Sequence, residues 1–379
     1  MRVSILLLVT ASCVCAAGAA DALQATAAPR ITTVAGQNGA VIVTLSTATR
    51  GAQVYYTVDG STPTARSTPY EAPFLIWSNR TVRAVTQAPG GPPSRVTSRK
   101  FRLNLRPGTL VWSDEFKGMA AASGDARPDR HFWNYATGAD TNASVAILCA
   151  YRSSAAPCNP AFPNSYVRND GDLHIVAQQP SPGAYTSARI DTRGRFSFQY
   201  GRLEARIWVP EGQGIWPAFW LLGNSVDAVG WPACGEIDIM ERINEPGLPP
   251  RAMDPSPSPP PGTSDWNKGS LHGTGFTGNA IGTLYYFKGG VTAAGWHTYG
   301  IIKRPDRIEF YIDDPAHPYT TLTPGSIASL PGTAWPFDNG QSFYIILNIA
   351  VGGDWPGSPD SSTHFPATMR VDYVRLYSN

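Results

Sequence analysis

The sequence predicts an all-β protein in two parts, a small β-sandwich followed by a larger pair of stacked antiparallel sheets. Three observations carry that expectation. Apolar and polar residues alternate with a period of two along many short stretches, as a half-buried strand requires. Gly 37 and Pro 34 supply turns at high frequency between those stretches. Finally, no long amphipathic helix interrupts the strands, and uninterrupted strands imply sheet packed on sheet. A chain of 379 residues is long enough for two domains. With a formal net charge of +2 and only 15% charged residues, neither nucleic acid nor an anionic membrane surface is an expected partner. The 11 tryptophans point elsewhere, because an indole offers a flat apolar face that fits the C–H face of a pyranose ring. A polysaccharide partner is therefore expected; the protein is also expected to be a monomer.

Residues 1–20 read as a secretory signal: Arg2 gives a positive start, Ile5 to Val9 an apolar run, and Ala17-Gly18-Ala19 a small-residue cleavage site. Secretion or a periplasmic location follows. Cys13 after Ala11-Ser12 is a weak lipoprotein-like feature behind a poor apolar run. In an oxidising compartment Cys149 and Cys158 could bridge the short loop between them, leaving Cys234 as a small buried residue or a reactive thiol. Residues 29–103 hold short alternating strands, clearest at 41–45, 53–58, 81–85 and 96–103, with Asp59-Gly60 read as a tight hairpin turn. This is the small sandwich; Tyr55, Tyr56 and Trp77 could touch a polysaccharide or fill its core. Residues 104–108 are a linker.

The larger domain, 109–379, opens with the strand 110–116. A strand at 172–177 follows the turn Asn169-Asp170-Gly171. In 201–209, Leu203, Ala205, Ile207 and Val209 form one face, and Arg202, Glu204, Arg206 and Trp208 the other. Strands are also expected at 214–223, 268–273, 283–287, 296–303, 307–313 and 368–377. The run 341–351 is apolar enough to be buried on both faces. The proline-rich segment 246–262 cannot form a packed element and should lie extended near one rim of the site.

The stretch Gly235-Glu-Ile-Asp-Ile-Met-Glu241 concentrates the chemistry. On a strand Glu236 and Asp238 share one face, while Ile237 and Ile239 point into a core. Strict alternation would bury Glu241 beside the isoleucines, at a cost of several kcal/mol. One extra residue, a β-bulge near Met240, would return it to the acidic face. Paired carboxylates about 5 Å apart are what a retaining glycosidase uses. The alternative for these residues is a solvated acidic face. Trp216 and Trp220, four apart and on one face of the preceding strand, read as sugar platforms or as core residues.

Gly201-Arg-Leu-Glu-Ala-Arg206, Trp216-Pro-Ala-Phe-Trp220, the acidic stretch, Asn348-Ile-Ala-Val-Gly-Gly-Asp-Trp-Pro-Gly357 and Val371-Asp-Tyr-Val-Arg-Leu-Tyr377 together resemble glycoside hydrolase family 16, most of all its bacterial laminarinases. That resemblance implies a concave β-jelly roll and a retaining endo-β-1,3-glucanase. It implies Glu236 as nucleophile, Glu241 as acid/base and Asp238 between them. Trp216, Trp220, Trp231 and Trp355 match sugar-stacking positions, and Arg189, His272 and Asn348 polar substrate contacts; a fold-satisfied histidine is the other reading of His272. Glu115, Asp372 and the backbone of Gly171 match positions that hold a structural calcium in many members; catalysis needs no cofactor. The small domain, through Val54 to Thr64, Ser67-Thr-Pro-Tyr70 and Thr81-Val-Arg-Ala84, resembles the Ig-like domain at the C-terminus of chitobiase-type hexosaminidases. Other readings are a mixed-linkage β-glucanase or agar-type galactanase on the same fold, a transglycosylase, and a non-catalytic β-glucan-binding protein.

Overall fold

The computed structural model describes residues 26–117, 125–140, 144–169, 171–243, 265–277, 281–287, 293–338 and 340–379. The signal segment 1–20, Cys13, Asp170 and the proline-rich segment 246–262 lie outside the described residues. Among the described residues four sheets make up the fold, and their ladders separate along the chain. Strands up to Asn104 pair only with one another, and strands from Leu110 onward do the same. An isolated bridge from Phe74 to Ser197 crosses between the two groups.

The first group is a sandwich of a three-stranded sheet (Arg30–Ala35, Val41–Ser46, Phe74–Ile76) and a four-stranded one (Thr68–Pro69, Gln53–Thr57, Ser78–Gln87, Thr97–Asn104). Val43, Leu45, Val54, Val82 and Phe101 form its core, and Tyr56 belongs to that core, stacked 4.6 Å from Phe74. Trp77 instead packs against the core of the larger group. Asp59-Gly60 is not a hairpin turn. Tyr56 pairs with Thr68, so 58–67 is a longer connection. Within it the Asp59 carboxylate accepts from the Ser61 amide at 2.9 Å and the Ser61 hydroxyl at 2.6 Å, a local turn closed by a side chain rather than by a ladder.

The second group is a jelly-roll sandwich. Its outer sheet centres on Leu173–Ser181, Ala367–Tyr377, Gly201–Trp208 and Trp296–Lys303. The inner sheet runs in the order Asn134–Tyr135, Arg189–Asp191, Phe343–Val351, Ile215–Gly223, Glu236–Glu241, Trp266–His272, Gly282–Tyr286, all antiparallel. Between the sheets Leu203, Ala205, Ile207, Phe219, Leu221, Ile345, Leu347 and Ile349 are fully buried. Every residue of Phe343–Val351 is buried, as its unbroken apolar run requires. Cys149 and Cys158 form a disulfide; Cys234 is free and buried. Among the described residues no helix is long and apolar enough to cross a membrane.

Candidate active site

The acidic strand carries a bulge one residue before Met240. Trp220 faces Asp238 and Phe219 faces Met240, so Ile239 has no partner of its own. On the other edge Asp238 faces Ser270 and Glu241 faces Lys268, with a matching register shift. Ile237, Ile239 and Met240 all enter the core, at 0%, 2% and 0% exposure. A regular register would bury Ile237 and Ile239 as well; the bulge replaces Glu241 with Met240 in the core, a side chain worth about 1.5–3 kcal/mol when buried. The second consequence is chemical: Glu236, Asp238 and Glu241 all line one cleft of about 770 Å³.

Asp238 is the hub of that cluster. Ser270 Oγ donates to Asp238 Oδ2 at 2.6 Å and lies 3.3 Å from Glu241 Oε2. His272 Nε2 is 2.9 Å from Asp238 Oδ2 and 3.7 Å from Glu236 Oε1. A hydroxyl has one proton. Ser270 Oγ therefore gives its proton to Asp238 at the shorter distance and only a longer contact to Glu241, which ties the two carboxyl groups to one hydroxyl. Two indoles complete the shell. Trp231 Nε1 donates to Glu236 Oε2 at 2.9 Å, and Trp216 Nε1 donates to Glu241 Oε1 at 3.0 Å.

Both glutamates are raised above the ordinary carboxylate range, first by burial and next by the charge of Asp238. His272 and, for Glu241, Lys268 pull the other way. Burial depresses His272, but the charge and hydrogen bond of Asp238 outweigh it and push the imidazole up to about 9. His272 is therefore a cation across the neutral range, paired to the cluster.

All seven residues expected to contact substrate line the same cleft. Trp231 is 53% exposed and free to stack on a sugar. Trp220 is only 5% exposed; its Nε1 donates to Asn348 Oδ1 at 2.7 Å and the Arg189 guanidinium lies 4.7 Å over its ring, so it acts as the floor beneath Arg189. Trp355 meets Trp216 edge-on at 4.9 Å. The sequence reading missed Ser270 and Lys268, although both alternate with His272 on one strand face and so had to point the same way. It also missed Arg193 and Asp227, which pair at the cleft wall, and Tyr344 beside them.

The three residues expected to hold calcium are arranged differently. Arg375 grips both oxygens of Glu115, at 2.9 and 2.8 Å, and holds its carboxyl below the usual range. Asp372 is met by Arg206 at 2.9 Å and by Lys117 at 3.7 Å. The Lys117 stem lies across Gly171, where a Cβ would come within 3.1 Å of it. Three cationic side chains take up these carboxylates, so as placed they do not fit a calcium ion, and no step below uses one.

An antiparallel sheet that turns two glutamates and an aspartate into one cleft, with indoles donating to both glutamates, has the parts of a glycoside hydrolase site. Comparison with known proteins gives the family. Residues 133–248 match the XgeA-like catalytic GH16 domain, and residues 33–98 match the chitobiase/beta-hexosaminidase C-terminal domain. The chain is 34% identical over 281 residues to a beta-glucanase of Rhodothermus marinus, covering 71% of this chain and 84% of that protein. It is 34% identical over 284 residues to glucan endo-1,3-beta-glucosidase A1 of Niallia circulans, covering 71% of this chain but only 37% of that longer protein. The catalytic domain of an endo-1,3-beta-glucanase (laminarinase) from Thermotoga petrophila superposes with a TM-score of 0.57 at 34% identity, covering 73% of this chain and 99% of that one. The chain belongs to glycoside hydrolase family 16.

Proposed function

We propose that the protein is a secreted, retaining endo-β-1,3-glucanase acting on laminarin-type glucans. The observation that carries this reading is the bulge at Ile239, which turns Glu241 back to the face that holds Glu236 and Asp238. Glu236 attacks the anomeric carbon of the sugar lying over Asp238. The glycosidic C–O bond breaks as Glu241 gives its proton to the departing oxygen, and a glycosyl ester forms on Glu236. Water then gives a proton to the Glu241 carboxylate, its oxygen takes the anomeric carbon, and Glu236 leaves as carboxylate. Two inversions return the β-anomer. A sugar hydroxyl entering in place of water gives transglycosylation by the same steps.

The laminarinase and glucan endo-1,3-beta-glucosidase relatives support the β-1,3-glucan choice. The disulfide between Cys149 and Cys158 is consistent with export to an oxidising compartment. A polysaccharide panel tests the reading. Reducing ends should appear from laminarin and curdlan, with β-anomers first by proton NMR, and Glu236→Gln should bind but not cleave. Release only from mixed-linkage glucan or agarose would move the substrate; α-anomers first would overturn the retaining mechanism. Binding with no release by the wild-type protein would make it a glucan-binding protein.

A further inference from the structure

Lys268 stands directly opposite Glu241 in the ladder and faces the cleft, yet the steps above give it no part. Its side chain is fixed on two sides. The ammonium sits 4.8 Å over the Trp355 ring. On the other side its Cε lies against Gly282 of the next strand, where a Cβ would come within 3.0 Å of it. Trp355 meets Trp216 edge-on, and Trp216 donates to Glu241. Lys268, Trp355, Trp216 and the Glu241 carboxyl thus follow one another in contact, and the backbone pairing of Lys268 with Glu241 brings the two ends of that series together.

We propose that Lys268 is a positioning residue for Glu241: held between Trp355 and Gly282, its ammonium keeps that carboxyl at the reacting bond and stabilises it as the carboxylate that activates the incoming water. This rests on the double-displacement reading. Glu241 has to alternate between two states, proton donor in the first half-reaction and proton acceptor in the second. The groups around it balance those states. Burial first, and then Asp238 from its own strand, press it towards the protonated form. From the adjoining strand Lys268 and His272 press it towards the charged form, helped by the Trp216 indole N–H. Arg189, Arg193, Asp227 and Asp354 line the same cleft. Among these cations His272 is committed to Asp238 and Glu236, whereas Lys268 is the direct ladder neighbour of Glu241.

The experiment compares Lys268→Met, which keeps the stem and loses the charge, with Lys268→Arg, which keeps the charge. In Lys268→Met the alkaline limb of kcat/KM on laminarin should move up by about one pH unit, and Lys268→Arg should restore the wild-type limb. Carbon-13 NMR of the labelled glutamate carboxyls should show the Glu241 titration moving the same way, independently of substrate. An unmoved limb and titration in Lys268→Met, or a shift that Lys268→Arg fails to reverse, would overturn the assignment. Glu236→Gln in the same series separates the two readings. If it stays active, double displacement is lost; if it is dead while the Glu241 titration ignores Lys268, only the role of Lys268 is lost.

Discussion

Nε2 of His272 lies 2.9 Å from Oδ2 of Asp238, joining the one imidazolium of the cleft to the carboxylate between the two glutamates. The two residues act on Glu241 with opposite sign: Asp238 raises its proton affinity and His272 lowers it. Asp238→Asn removes the like charge, so Glu241 gives up its proton more readily and the alkaline limb of kcat/KM should move to lower pH. His272→Gln removes a cation that is charged throughout the neutral range, so that limb should move to higher pH. Each shift should be about one unit. Rate profiles between pH 5 and 10 check this; shifts of the same sign in both variants would contradict the cluster as described.

Much of this site was legible because period-two alternation leaves so few choices. Three acids can share a cleft while two isoleucines of the same strand enter the core only if the register slips by one residue, and the slip is there at Ile239. The apolar run ending at Val351 announced a strand buried on both faces for the same reason. What alternation cannot convey is which long side chains meet. Arg206, Arg375 and Lys117 are far in sequence from at least one of the carboxylates they engage, so Glu115 and Asp372 read as free ligands until the strands were laid side by side. Asp59-Gly60 misled because a turn dipeptide fixes a local bend, not which strands pair around it.

The Cys149–Cys158 bridge closes a loop with a sequence separation of 9. A loop of that size restricts the unfolded chain by about 2–3 kcal/mol. Cys149→Ser combined with Cys158→Ser should therefore unfold several degrees below the wild type, as should the wild type under reductant. Calorimetry with and without reductant measures it. An unchanged transition would mean that the loop is already ordered in the unfolded chain.

Gly223 ends the strand beside the acidic one, and its amide donates to Gly235 O at 2.9 Å. A Cβ at 223 would fall 1.9 Å from Cys234 O, a backbone atom two residues before Glu236. Gly223→Ala must push that segment aside, at a cost of about 1–3 kcal/mol, and displace Glu236 with it. Stability and kcat should both fall. Gly91→Ala, whose Cβ would meet nothing closer than 3.5 Å, is the matched control and should leave both unchanged. Equal behaviour of the two variants in denaturant melts and kinetics would refute the close approach.

Lys303 is wholly buried. Its Nζ donates to Gln199 O at 2.9 Å and Phe337 O at 2.6 Å, and sits 4.5 Å over the Tyr200 ring. Burial pushes the ammonium down from 10.5 to about 7, with the Asp338 charge opposing. Between those two values the unfolded chain holds a proton on this lysine that the folded protein has released, so raising the pH favours folding through this group. In Lys303→Met that contribution is absent, while every other titrating group is kept. The stability of wild type minus that of Lys303→Met should therefore grow with pH from about 7 to 10, at up to about 1.4 kcal/mol per unit. Urea melts of both proteins across that window measure the difference. A difference that stays flat would mean that the carbonyls and aromatic faces around Nζ keep the ammonium charged inside the fold.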